Sequence, residues 1–142
     1  MYVLDTNVIS EVMKEEPDVA VAAWLRACPV EAAFTTTICQ SEILYGVRRL
    51  PDSRRRYRLN AAAEAMFAES FGDRILPFDV AAASAYADIR VARERAGSPV
   101  AQEDGMIAAI AKVAGATVLT RDEAGFAGCG VPVVNPWRQR GP

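Results

Sequence analysis

The 142-residue chain is 51% hydrophobic and 24% charged, and 16 Lys and Arg against 18 Asp and Glu leave a net charge of −2. Such a composition is too apolar and too evenly charged for a disordered chain, and the overall charge is not that of a general nucleic-acid binder. The longest uncharged run, Ala124 to Trp137, is broken by Gly and Pro and falls short of the roughly 20 apolar residues of a membrane span.

The opening Tyr2-Val3-Leu4 is an apolar run that stops at Asp5, as a buried strand would, and Asp5-Thr6-Asn7 supplies turn and helix-capping groups. A helix is expected from Val8 to Lys14, and Pro17 can open another through Leu25. Ala33 to Thr36 reads as a second strand. Thr37 is placed to cap the helix Ile38 to Leu50, whose apolar residues at 38, 43, 47 and 50 mark one buried stripe. Pro51 ends that helix, and an Ala-rich helix follows from Arg54 to Phe71. Ile75 to Phe78 is extended, Asp79 can cap a helix to about Ala96, and Gly97-Ser98-Pro99 is a loop. Glu103 to Ala114 is helical again. Thr117 to Thr120 and Val131 to Val134 are the last strands, the Pro in the latter suiting an edge. Short apolar strands alternating with amphipathic helices point to one α/β domain over residues 1–142, a parallel sheet covered on both faces.

No histidine is present, which removes Ser-His-Asp and Cys-His nucleophilic catalysis, paired-imidazole ribonuclease chemistry and His-ligated zinc. Cys28, Cys39 and Cys129 form no Cys-x-x-Cys pair and suit reduced, buried thiols. The first ten residues lack the basic region of a secretory signal, so a cytoplasmic location is expected. The Gly125 to Gly130 segment, GFAGCG, departs from the dinucleotide-binding pattern and reads as a loop.

If the chain is an enzyme, carboxylates, hydroxyls, Lys or Arg must carry the chemistry. In open α/β sheets ligands gather beyond the carboxyl ends of the strands. Asp5 follows the first strand, Asp122 lies two residues after Thr120, Asp104 sits in the first turn of its helix, and Glu42 borders an apolar stripe. Each has a plain structural use: a cap for Asp5, a dipole partner for Asp104, a turn for Asp122, an ion pair for Glu42. Brought together, they would repel strongly unless protonated or neutralised by a cation. A hard-oxygen donor set without His or Cys favours Mg²⁺ or Mn²⁺ over zinc, and such an ion can activate water for phosphodiester cleavage.

The segments VLDTNVIS, SEILYGV, EDGMIAAIAK and VLTRDEAGF, in this order and at these separations, resemble a PIN-domain ribonuclease, and in particular the VapC toxins of bacterial toxin–antitoxin pairs. RILPFD and the closing NPW bring the chain nearest the FitB-like branch. The resemblance implies a three-layer α/β/α sandwich with four or five parallel strands. It also implies an acidic quartet, Asp5, Glu42, Asp104 and Asp122, binding Mg²⁺ or Mn²⁺, with Asp5 and Asp104 the direct contacts and the other two direct or through water. Thr6, Asn7 and Thr120 take supporting places, and Glu103 and Glu123 are the neighbouring substitutes. Further implications are RNA hydrolysis, homodimerisation, and a VapB-like antitoxin that occludes the pocket and contacts operator DNA.

RRLPDSRRRYR offers Arg48, Arg49, Arg54, Arg55, Arg56 and Arg58 as phosphate contacts for RNA, or simply as a solvated face. Two rival readings stand beside the nuclease. One is a non-catalytic regulator whose acidic pocket receives a basic partner segment. The other is a phosphatase forming an aspartyl-phosphate on Asp5, which Asn7 disfavours because an acid would be needed there.

Overall fold

The computed structural model describes all 142 residues. Five parallel strands, β1 (Tyr2–Leu4), β2 (Ala33–Thr36), β3 (Ile75–Leu76), β4 (Thr117–Leu119) and β5 (Val133–Val134), form one sheet in the order β3-β2-β1-β4-β5. Seven α-helices flank it: α1 (Thr6–Val12), α2 (Val19–Ala27), α3 (Thr37–Arg48), α4 (Arg54–Ala65), α5 (Val80–Arg95), α6 (Gln102–Ala114) and α7 (Glu123–Phe126). The expected α/β/α sandwich with a parallel sheet is thus the observed architecture.

The chain builds outward from β1 to β2 and β3 on one side, then returns to add β4 and β5 on the other. The reversal places a crevice between the carboxyl ends of β1 and β4, where open α/β sheets bind ligands. Tyr2, Val3 and Leu4 pair in register with Thr117, Val118 and Leu119, so the residues that follow each strand emerge side by side. β5 is an edge strand, and Pro132 precedes it. Its carbonyl still accepts from Val118 N–H at 2.9 Å, so the missing amide costs the ladder nothing on that side.

Local signals differ from the sequence expectations in a few places, for identifiable reasons. Asp18, not Pro17, starts α2, accepting from the Ala20 and Val21 amides. Thr36, the last residue of β2, caps α3 through Cys39 N–H, so no loop residue separates strand from helix. The long Ala-rich helix stops being α-helical at Met66 and finishes as a wider π turn, Met66–Phe71, before Gly72. α7 has only four residues, too few to leave a periodic signal in the sequence.

The core runs along both sheet faces, with Val3, Val8, Ile9, Val21, Trp24, Ile107, Val118, Leu119 and Phe126 essentially inaccessible. Burial of each such aliphatic or aromatic side chain is worth about 1.5–3 kcal/mol. Tyr2 packs edge-on to Trp24, ring centroids 4.9 Å apart. α5 and α6 approach closely at Gly105, where a Cβ would stand 2.8 Å from the Tyr86 ring. That approach seats the start of α6, and with it Asp104, against the body of the protein. Cys28, Cys39 and Cys129 are free and buried, and burial pushes the Cys39 thiol up to about 11, leaving it inert at neutral pH. No helix is long and apolar enough to cross a membrane.

Candidate active site

Asp5 lies directly after β1 and is 4% exposed. A carboxylate so buried is costly unless its lone pairs are occupied. Thr6 N–H donates to its Oδ1 at 2.8 Å, while Asn7 Nδ2 at 2.8 Å and Thr120 Oγ1 at 2.7 Å donate to Oδ2. Burial nevertheless prevails over these donors and holds the Asp5 pKa above its ordinary value. Asp5 is also the N-cap of α1, so its plain structural use and its place in the pocket coexist in one side chain.

The supporting residues tie the neighbouring strands together. Asn7 donates to Thr120 Oγ1 at 3.0 Å and accepts from Arg121 N–H at 3.1 Å. Thr120 Oγ1 in turn accepts from Asp122 N–H at 3.0 Å. A single network therefore fixes the end of β1 relative to the end of β4, and Asp5 relative to the backbone of Asp122. Thr6 Oγ1 donates a hydrogen bond to Glu42 Oε2, linking α1 to α3. Burial raises the Glu42 pKa, and the nearby Asp5 and Glu103 charges add to that effect.

Asp104 sits in the first turn of α6, whose N-terminus has no side-chain cap. Its pKa is pushed up to about 6, first by burial and then by the charges of Asp5, Asp122, Glu42 and Glu103. A shift caused jointly by the other three acids of the proposed quartet means that the four feel one another. Asp122 caps α7 by accepting from Gly125 N–H at 3.0 Å. A Cβ at Gly125 would collide with the Asp122 carboxylate and stand 3.0 Å from Asp104 Oδ2, so glycine leaves room for the two acids.

The structure brings Asp5, Glu42, Asp104 and Asp122, with Thr6 and Asn7, to the wall of one open pocket. The sequence substitutes, Glu103 and Glu123, do not line it. Glu123 is engaged by Asn135 Nδ2 at 3.0 Å and Arg138 at 3.4 Å, and Glu103 is exposed, near enough for its charge to act on Glu42 and Asp104. The same wall contains Ser10, Glu11, Lys14, Arg121 and Trp137, which sequence reasoning had not singled out. Ser10 lies one helical turn after Thr6, and Arg121 and Trp137 follow the carboxyl ends of β4 and β5. The strand-end rule applied to every strand would have found the last two.

A second groove continues from the pocket past Thr6, Ser10, Lys14 and Glu42 to Met13, Ile43, Val47 and Leu59. Of the arginines proposed for RNA, Arg55 lines this groove. Arg48 is paired with Glu64 at 3.0 Å, Arg56 with Asp52 at 3.2 Å, and Arg49 lies 5.9 Å from the Tyr45 ring centre. Arg54 and Arg58 are exposed.

The donor set fits a hard divalent cation. It offers the carboxylates of Asp5, Glu42, Asp104 and Asp122, besides Glu11 paired with Lys14, and no imidazole or thiolate. No three of them stand close enough to make a closed protein cage. Mg²⁺ asks for no such cage, since it is usually held by one or two carboxylates and keeps several waters. Burial first, and the charges of neighbouring acids after it, hold the Asp5, Glu42 and Asp104 pKa values up, and a bound cation would offset both penalties.

The PIN domain model matches residues 2–128, nearly the whole of the chain. The chain belongs to the PIN-domain family. It is 39% identical over 137 residues to the VapC ribonuclease Y4jK of Sinorhizobium fredii, covering 96% of this chain and 98% of that protein. The crystal structure of FitAcB from Neisseria gonorrhoeae superposes with a TM-score of 0.92 at 39% identity, covering 98% of this chain and 100% of that one. The structure of FitAB bound to an IR36 DNA fragment matches with the same TM-score at 38% identity, over 99% and 98% of the two chains. The resemblance to VapC and FitB drawn from VLDTNVIS, SEILYGV, EDGMIAAIAK and VLTRDEAGF is borne out on these grounds.

Proposed function

We propose that this PIN-domain protein is the toxin of a type II toxin–antitoxin pair and acts as a Mg²⁺- or Mn²⁺-dependent endoribonuclease. The observation that carries the reading is the meeting of Asp5, Glu42, Asp104 and Asp122, from four separate segments, in one pocket at the strand-order reversal of the sheet. The name of one relative, a VapC ribonuclease, supports the activity, and that of another, Toxin FitB, supports the toxin role.

Asp5 and Asp104 are the residues to hold the ion, with Glu42 and Asp122 completing the pocket directly or through water. Bound there, the cation supplies an activated water and charge stabilisation for the leaving oxygen. The chain's own contribution is to hold these acids still. Thr6, Asn7 and Thr120 occupy the lone pairs of Asp5 and so fix which carboxylate edge faces the pocket, while Thr6 does the same for Glu42. Asn7 is committed to Asp5, Thr120 and the Arg121 amide, and an amide cannot donate a proton as a general acid. That arrangement favours the nuclease over an aspartyl-phosphate phosphatase.

The partner reading has its own support. The groove running from Glu42 to Leu59 is apolar along much of its floor and opens into the acidic pocket. An antitoxin segment with apolar side chains and a basic residue would fill it and block the acids. The antitoxin's other half would carry the pair to operator DNA, and the toxin would act as a homodimer in the cytoplasm. Arg55 and its neighbours Arg48, Arg49, Arg54, Arg56 and Arg58 are proposed as outer contacts to RNA, Arg55 foremost because it lines the approach to the acids.

Induced expression in a bacterium lacking the antitoxin tests the reading. The wild type should arrest growth and cleave cellular RNA, and Asp5→Asn should do neither while accumulating as folded protein. Equal arrest by both would favour the non-catalytic regulator.

A further inference from the structure

We propose that Arg121, stacked on Trp137 at the mouth of the acidic pocket, grips a phosphate of the RNA strand beside the one that is cut, with the Asn135-Pro136-Trp137 turn as its scaffold. The inference rests on the nuclease reading above and adds a substrate subsite to it.

A pocket walled by five carboxylates, Asp5, Glu11, Glu42, Asp104 and Asp122, repels a polyanion, so the approach of RNA calls for a cation at its edge. Two cations line the pocket, Lys14 and Arg121. Lys14 is committed to Glu11, at 2.7 Å, and that contact together with the Asp18 amide lowers the Glu11 pKa. Arg121 forms no ion pair with any carboxylate. Its guanidinium carbon lies 4.6 Å from the Trp137 ring centre. Stacking uses the flat face of the guanidinium and leaves its N–H edge free, and that edge is the fork that meets phosphate oxygens in pairs.

Both members of the stack are anchored to the framework that holds Asp5. The Arg121 amide donates to Asn7 Oδ1, and the same Asn7 donates to Asp5 Oδ2. Thr120 N–H donates to the Val134 carbonyl at 3.0 Å, joining the ends of β4 and β5. Asn135, 3% exposed, accepts from the Trp137 amide at 3.0 Å and donates to Glu123 at 3.0 Å. A charge on a long, exposed side chain ordinarily samples many rotamers; here the ring below and the tethered backbone restrict it. The backbone of Arg121 is thereby held in place relative to Asp5.

The test measures binding of a labelled pool of short random-sequence RNA to the full chain in EDTA, across a range of salt, and cleavage of the same pool in Mg²⁺. Arg121→Ala should weaken binding about tenfold and flatten the slope of log affinity against log salt by about 0.7, one phosphate contact on a single strand. Arg121→Lys should restore the slope without the full affinity, because an ammonium neither stacks nor forks. Trp137→Ala should weaken binding with the slope kept, since the charge remains. In cleavage, Arg121→Ala should raise KM and leave kcat within about twofold. Wild-type affinity and slope in Arg121→Ala, with unchanged thermal unfolding, would overturn the proposal and assign the stack to solvent or to a protein partner. Asp5→Asn cleaving as well as wild type would instead refute the nuclease reading, a result separable from the binding slopes.

Discussion

Asp104 ionises late because its carboxyl is half-buried among three other acids, and this gives the protein without bound metal a definite pH response. A carboxyl with a raised pKa binds its proton more tightly folded than unfolded. Between its ordinary value of 3.8 and about 6, the folded chain therefore holds more proton at Asp104, and stability falls as pH rises through that window. Asp5 and Glu42 are raised as well and act in the same direction. Thermal unfolding in EDTA should show Asp104→Asn stabilised at pH 7 by about 1 kcal/mol after solvent screening, a Tm rise of about 4 °C, and little changed at pH 4. A destabilised Asp104→Asn at pH 7 would contradict the repulsive pocket. Cation binding has the opposite sign and should strengthen as pH rises toward about 6, because the ligand must lose its proton. Gly125 is the second sensitive residue. Gly125→Ala adds a methyl group where Asp122 and Asp104 meet, and should lower Mg²⁺ affinity about 10–100-fold by calorimetry with the fold retained.

At the scale of elements, Arg93 of α5 holds α7 in place. It is 7% exposed and has no carboxylate partner; Nη1 donates to the carbonyls of Gly125 at 2.9 Å and Ala127 at 2.7 Å, and Nε donates to the Ser98 carbonyl at 2.6 Å. Removing it would take away three part-buried hydrogen bonds, each worth about 0.5–1.5 kcal/mol. Arg93→Ala should lower Tm markedly in differential scanning calorimetry, and Arg93→Lys should recover only part of the loss. In sequence, Arg93 sits among RVARERAGS and reads as one more surface charge. The strands and long helices were legible because apolar runs and period-3.6 stripes are local signals. α7, the π turn at Met66–Phe71 and the capping role of Thr36 were not, since each is decided by contacts made after the chain folds. The site divides likewise. Strand-end position and family motifs pointed to Asp5, Glu42, Asp104 and Asp122, whereas Arg121 and Trp137 needed the adjacency of β4 and β5 to be seen as a pair.

For the whole molecule, the decisive feature is the order in which strands are laid down. Returning from β3 to add β4 beside β1 opens the crevice, and the parallel register delivers Asp5 and Asp122 to the same edge. α3 and α6 then bring Glu42 and Asp104 to it, so an acidic pocket arises in a chain whose net charge is only −2. We propose this pocket as a divalent-metal ribonuclease centre. RNA cleavage by the purified, partner-free protein tests it most directly, with Mg²⁺ or Mn²⁺, with EDTA, and with Asp5→Asn. Cutting should need the metal, stop in EDTA, return on adding the metal back, and be absent in the variant. Cutting that persists in EDTA, or that Asp5→Asn performs as well as the wild type, would contradict it.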